Sequence, residues 1–181
     1  MRTFRKTPKD IFTFDIDGTL CSVPEMPQDH WQQLMNDYNG EMEFYRGLQL
    51  ANKNLPSFIR SLSAYADIGI VTARSMRDRS ITEKWLIDND IYYDWLVVNL
   101  YQEDRVTFLE SINCIGHFDD CHYVGKQLPW VDRVWNNQWA NPDPVGYEPW
   151  SEMFAKYKFQ PTTTLMPATS SLRTARQLTL F

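Results

Sequence analysis

One uninterrupted stretch, Ile11-Phe12-Thr13-Phe14-Asp15-Ile16-Asp17-Gly18-Thr19-Leu20, constrains the fold of this chain more than any other. Its first four residues, three of them apolar, predict a strand buried on both faces, as in a parallel sheet. Two aspartates two positions apart follow at once, then a glycine and a threonine. Side chains of an extended backbone repeat direction every second residue, so both carboxylates face one side, about 6–7 Å apart at Cα. Gly18 permits a sharp turn behind them, and Thr19 brings a hydroxyl and an amide to its mouth. Ligands of open α/β sheets collect beyond the carboxyl ends of the strands. Paired acids there can hold Mg²⁺, and one of them can attack phosphorus. An acidic turn that merely closes a strand is the plainer alternative, and later partners decide between the two.

The rest of the chain alternates strand and helix. After Pro24 and Pro27 the pattern predicts a helix near 28–38, with Trp31 and Leu34 on one face, then loop over 39–54. A helix follows over 55–62, with Pro56 in its first turn. The second strand, Ile68-Gly69-Ile70-Val71, ends in Thr72-Ala73-Arg74-Ser75. A helix over 76–89 carries Ile81, Trp85 and Leu86 at helical spacing. The third strand spans 94–100, a helix 102–112, and the fourth strand 114–118 runs straight into Asp119-Asp120. This succession predicts a parallel α/β sheet with right-handed crossovers. Residues 131–135 read as an edge strand, 141–146 as a loop, and Trp150, Met153 and Phe154 as a last helix. Trp130, Trp135, Trp139 and Trp150 are expected to seal this end of the core rather than stack bases.

Composition narrows the class. With 43% hydrophobic and 23% charged residues in 181, the chain fits one soluble core. No apolar run reaches the length of a membrane span, and Met1–Lys6 lacks a signal-peptide stretch. Three cysteines without a C-x-x-C pair predict a reduced, cytoplasmic setting. Net charge of −5 argues against non-specific grip on nucleic acid and leaves a nucleic acid end open as substrate. Arg2, Arg5, Lys6 and Lys9 read as a solvated lead-in. Cys114, His117, Cys121 and His122 superficially suggest zinc, but their spacing fits no usual pattern. Cys114 and His117 are therefore expected in the core.

Asp15-x-Asp17-Gly18-Thr19-Leu20 after an apolar strand resembles motif I of the haloacid-dehalogenase (HAD) phosphohydrolase superfamily. Thr72 matches its motif II and Asp119-Asp120 its motif IV, so the resemblance covers roughly residues 9–124. It implies a HAD-like Rossmannoid three-layer sandwich with a mostly parallel sheet and little or no cap. It also implies Mg²⁺-dependent phosphomonoester hydrolysis through an aspartyl-phosphate. Asp15 would be the nucleophile and Asp17 the general acid and base. Asp15, Asp119 and Asp120, with Asp17 through its backbone carbonyl, would be the metal ligands. Thr72 would bind phosphate. The stretch Thr72-Ala73-Arg74 is similar to that of the 3′-phosphatase domain of phage polynucleotide kinases, which makes Arg74 a phosphate clamp. A nucleotide or a nucleic acid 3′-phosphate end is then the implied substrate. The motif III lysine is missing; Arg105 stands 14 residues before Asp119 in its place, with Lys84 and Lys126 as other sources of charge.

From Pro161 the composition turns to threonine, serine and proline, which reads as a tether over 161–181 following a domain over 1–160. It ends in Gln177-Leu178-Thr179-Leu180-Phe181, which resembles the sliding-clamp-binding peptide of bacterial replication and repair proteins. Gln177, Leu178, Leu180 and Phe181 would dock on a DNA polymerase clamp in a bacterial or phage-infected cell. A terminal element packed on the domain is the alternative. A different class of reading is a non-catalytic accessory protein that keeps the fold and rides the clamp. The missing lysine speaks for it and the four aspartates against it.

Overall fold

A computed structural model describes residues 10–112, 114–134 and 148–160. The first apolar run forms β1 (Asp10–Phe14), followed by a short β2 (Cys21–Ser22), α1 (Gln28–Asn36), α2 (Tyr38–Gly47) and β3 (Gln49–Leu50). Then come α3 (Leu55–Leu62), β4 (Ala66–Val71) and a 3₁₀ turn, Met76–Asp78, that runs into α4 (Arg79–Asp88). β5 (Trp95–Val97), α5 (Gln102–Ser111), β6 (Cys114–Asp119), α6 (His122–Gln127), β7 (Asp132–Arg133) and α7 (Trp150–Lys156) complete the described elements. Five strands form one all-parallel sheet in the order β5-β4-β1-β6-β7, and β2 pairs antiparallel with β3 outside it.

β1 is central because its side chains have apolar partners on both faces. Phe14 stacks on Phe118 of β6 at 4.7 Å between centroids, and Phe12 meets Tyr65 and Tyr157 edge-on. Phe58 of α3 and Trp150 and Phe154 of α7 close the same cluster. Each such buried ring stabilises the fold by about 1.5–3 kcal/mol. Trp150 seals the core, as its sequence position suggested, and its indole N–H donates to the Thr19 carbonyl at 3.0 Å. Trp130 is 42% exposed instead. Trp135, Trp139, the basic lead-in and the entire tail, including Gln177, Leu178, Leu180 and Phe181, lie outside the described residues.

Two differences from the sequence pattern matter. Residues 39–54 are not loop: they hold α2, capped by the Asp37 carboxylate accepting from Asn39 N–H at 3.2 Å. α2 docks through Glu41, which takes an ion pair from Arg77, and through Tyr45. The third strand is also shorter, because Asn99 turns the chain at φ +64°. Past that turn, Asn99 N–H and Leu100 N–H still donate to the Arg74 and Thr72 carbonyls at 2.8 and 3.1 Å. The connections beyond β4 and β5 are thereby tied together. Among the described residues no helix is long and apolar enough to cross a membrane.

Candidate active site

Adjacent strands β1 and β6 deliver the acids to one place. Asp15 N–H donates to the Phe118 carbonyl at 2.9 Å, extending the ladder past the end of β1. The turn behind it needs Gly18: its φ is +88°, and a Cβ there would lie 2.0 Å from Asp120 Oδ2. Thr19 then seats Asp120, its Oγ1 accepting from Asp120 N–H at 3.1 Å and donating to Asp120 Oδ1 at 3.4 Å. Carboxylate oxygens of Asp15, Asp119 and Asp120 lie within 4.8 Å of one another.

Arg105, on α5, is the cation of this cluster. Its Nη1 lies 2.7 Å from Asp119 Oδ2 and 3.1 Å from Asp15 Oδ1. Its Nε and Nη2 donate to the Leu100 carbonyl at 3.4 and 3.3 Å, which fixes the fork. Lys84, by contrast, pairs with Asp88 on the exposed side of α4. Asp119 also accepts from His117 Nε2–H at 2.9 Å and from Cys121 N–H at 2.7 Å. The other ring nitrogen of His117 is 2.8 Å from Thr13 Oγ1, and that hydroxyl is 3.2 Å from Cys114 Sγ. His117 is thus the core residue the pattern suggested and also a support for Asp119. The signal for that second role was its place two residues before Asp119, on the same face of the strand.

Burial is the first cause of the unusual electrostatics. It raises Asp15 well above the carboxylate range, Arg105 opposing it and Asp119, Asp120 and Asp17 adding to it. Asp120 is pushed up to about 8 by burial and by Asp119. Burial would raise Asp119 too, but Arg105 and His117, with the Cys121 N–H, hold it down at about 2. Among the described residues, four carboxylates (Asp15, Asp17, Asp119 and Asp120) thus face two guanidiniums at this site, and burial together with the neighbouring acids raises Asp15 and Asp120. A divalent ion held by Asp15, Asp119 and Asp120 would offset this crowding of acids, and an all-oxygen donor set suits a hard cation such as Mg²⁺.

Asp17 stands apart from that cluster. Arg74 Nε and Nη2 donate to its two oxygens at 2.8 and 2.7 Å, a two-point ion pair. The guanidinium also donates to Thr82 Oγ1 at 3.4 Å and lies 4.2 Å above the Tyr45 ring. Arg74 is only 3% exposed, and Asp17 outweighs burial in raising its pKa. The sequence pointed this fork at a substrate phosphate; the structure directs it to the Asp17 carboxylate. Thr72 is buried, with its hydroxyl accepting from Arg74 N–H at 3.2 Å. Asp15, Asp17, Thr72, Tyr101, Arg105 and Asp120 line one cavity of about 240 Å³.

No protein-family model matches the chain, and no curated protein matches it. Solved structures do. A chain in the structure of the Pnkp1/Rnl/Hen1 RNA repair complex aligns with a TM-score of 0.54 and 20% identity, over 72% of this chain and 44% of that one. A second structure of the Pnkp1/Rnl/Hen1 complex gives 0.52 and 19%, over 73% and 49%. A putative beta-phosphoglucomutase from Thermotoga maritima gives 0.54 and 12%, over 82% and 98%. This chain therefore spans less than half the length of the first two chains it matches. At these identities the likeness establishes the fold, a HAD-like Rossmannoid α/β sandwich.

Proposed function

We propose that this chain is a Mg²⁺-dependent HAD-type phosphomonoester hydrolase whose substrate is a nucleotide or a nucleic acid 3′-phosphate end. The observation that carries the reading is the convergence of Asp15, Asp119 and Asp120 beside Arg105, at a cavity that Asp15, Asp120 and Arg105 line. The carboxylates of Asp15, Asp119 and Asp120 and the backbone carbonyl of Asp17 would hold the metal. When bound, Mg²⁺ offsets negative charge on the phosphoryl oxygens.

The residues then divide the work. The Asp15 carboxylate attacks phosphorus in line, and the bond from phosphorus to the leaving oxygen breaks as the aspartyl-phosphate forms. Asp17 gives that oxygen a proton and later takes one from the water that releases phosphate and restores Asp15. Arg74 aims Asp17, and proton donation requires one of their two contacts to loosen. Arg105 compensates charge next to Asp15, and Thr72 closes the wall beside the phosphoryl group. Little of the insertion between β1 and β4 beyond α1, α2, α3 and the β2–β3 ribbon is available as a cap, which favours a bulky substrate. The RNA repair complex among the structural neighbours points the same way.

Phosphate release with Mg²⁺ from mononucleotides and from oligonucleotides bearing 3′ or 5′ phosphates tests the proposal. Turnover on at least one of these, lost in Asp15→Asn, is the expected result. Undiminished release by Asp15→Asn refutes it. Arg105 already brings positive charge to two of the clustered carboxylates, which favours a second reading, a non-catalytic protein on the same fold. That reading predicts no hydrolysis and no Mg²⁺ binding by calorimetry. In either case the tail residues Gln177, Leu178, Leu180 and Phe181 are proposed to dock on a sliding clamp. Capture of the full chain on purified clamp, lost when residues 177–181 are removed, is the check.

A further inference from the structure

We propose that Tyr101 is a stacking platform for a nucleobase, so that the site takes phosphomonoesters carrying a base in preference to bare sugar phosphates. The proposal rests on the phosphohydrolase reading and names what recognises the rest of that substrate. Tyr101 is 57% exposed, yet it lines the cavity together with Asp15, Asp17 and Arg105. Its carbonyl accepts from Arg105 N–H at 2.7 Å, closing the first turn of α5. The ring therefore borders the same cavity as the carboxylate and guanidinium that would meet phosphorus.

The helix itself does not explain this residue. Tyr101 occupies the N-cap of α5 and makes no side-chain cap hydrogen bond. Serine, threonine, asparagine or aspartate would stabilise that helix start better. Its backbone is nonetheless held firmly. Asn99 and Leu100 are bonded to Arg74 and Thr72, and the Leu100 carbonyl receives the Arg105 fork. The ring is thus presented from a fixed support. Among the described residues, the two guanidiniums at the site are also engaged, Arg74 with Asp17 and Arg105 with Asp15 and Asp119. Grip on the remainder of the substrate then falls to uncharged contacts, and an exposed ring offers a π-face to any base.

The test compares Tyr101→Ala, Tyr101→Phe and Tyr101→Trp in the full chain with Mg²⁺. Base–aromatic stacking predicts that Tyr101→Ala lowers kcat/KM about 5- to 100-fold on adenosine monophosphates. Ribose 5-phosphate, which keeps the sugar and phosphate without a base, should be unaffected. Phenylalanine and tryptophan should restore the nucleotide rate. A 3′-phosphorylated oligonucleotide arm tells whether the base belongs to a free nucleotide or a chain end. Equal losses with and without a base, or no loss on either, overturn the proposal. Equilibrium binding of adenosine monophosphate by calorimetry decides the point without turnover. If no phosphomonoester is hydrolysed but Tyr101→Ala still weakens that binding, the hydrolase reading fails and the platform stands.

Discussion

Replacing Arg105 by methionine keeps most of the side chain's volume and removes its charge, so it isolates what the guanidinium does. In the structure Arg105 is 5% exposed and faces Asp119, which has no exposed surface. Deleting one partner of a buried ion pair costs about 3–5 kcal/mol. The low end applies here, because Asp119 keeps its bonds from His117 and Cys121. The two long bonds to the Leu100 carbonyl add at most about 1 kcal/mol. Arg105→Met should therefore lose about 3–4 kcal/mol at pH 7 without metal. With a urea m-value of about 1–3 kcal/mol/M, the midpoint falls by on the order of 1 to 4 M. The sign with pH follows from Asp119, which Arg105, against burial, holds at about 2. A depressed carboxylate stabilises the folded state above its unfolded pKa of about 3.9, and that contribution disappears as pH falls towards 2. Urea melts of both proteins at pH 7 and pH 3 should thus show a gap that shrinks on acidification. A midpoint shift under about 0.3 M at pH 7, or a gap unchanged at pH 3, would refute the reasoning.

Other outcomes follow from the same contacts. Gly18→Ala puts a side chain at φ +88° and drives Asp120 from its seat. It should cost about 1–3 kcal/mol in thermal or urea unfolding and abolish the Mg²⁺-induced rise in Tm. His117→Phe removes the bond to Asp119. Calorimetry should show Mg²⁺ affinity weakened about 10- to 100-fold, with kcat at saturating metal largely kept, and Thr13→Val should do the same more mildly. The metal-free protein should lose stability as pH rises from about 4 to 8, because folded Asp120, raised by burial to about 8, holds a proton that the unfolded chain has released. The slope is at most about 1.4 kcal/mol per pH unit for each such proton. Saturating Mg²⁺ should flatten it in melts taken across that range.

The parts of the fold legible in the sequence were those written in uninterrupted apolar runs. β1, β4 and β6 announce themselves in this way, and each ends in the residues that meet at the cavity. Arg105 was legible through the resemblance, as the cation standing where motif III has a lysine, 14 residues before Asp119. α2 was not, since Asn39, Gly40 and Gly47 weaken its helical pattern; what holds it is tertiary, through Arg77 and Glu41. The partner of Arg74 was hidden for a similar reason. Asp17 lies 57 positions away, and only the adjacency of β1 and β4 brings its carboxylate to the fork. The resemblance around Thr72-Ala73-Arg74 offered a substrate phosphate for that charge, and pattern alone could not supply the competing acid.

On the proposed reading, Asp15 becomes covalently phosphorylated in a site completed by a divalent cation. Rapid quenching of the full chain with an accepted phosphomonoester, borohydride reduction and peptide mass spectrometry reads this directly. The carboxylate at position 15 should be reduced to an alcohol only when substrate and Mg²⁺ are both present. Asp15→Asn, folded by circular dichroism, should give no such product. Phosphate release proceeding with position 15 unmodified, or modification that ignores Mg²⁺, would contradict it.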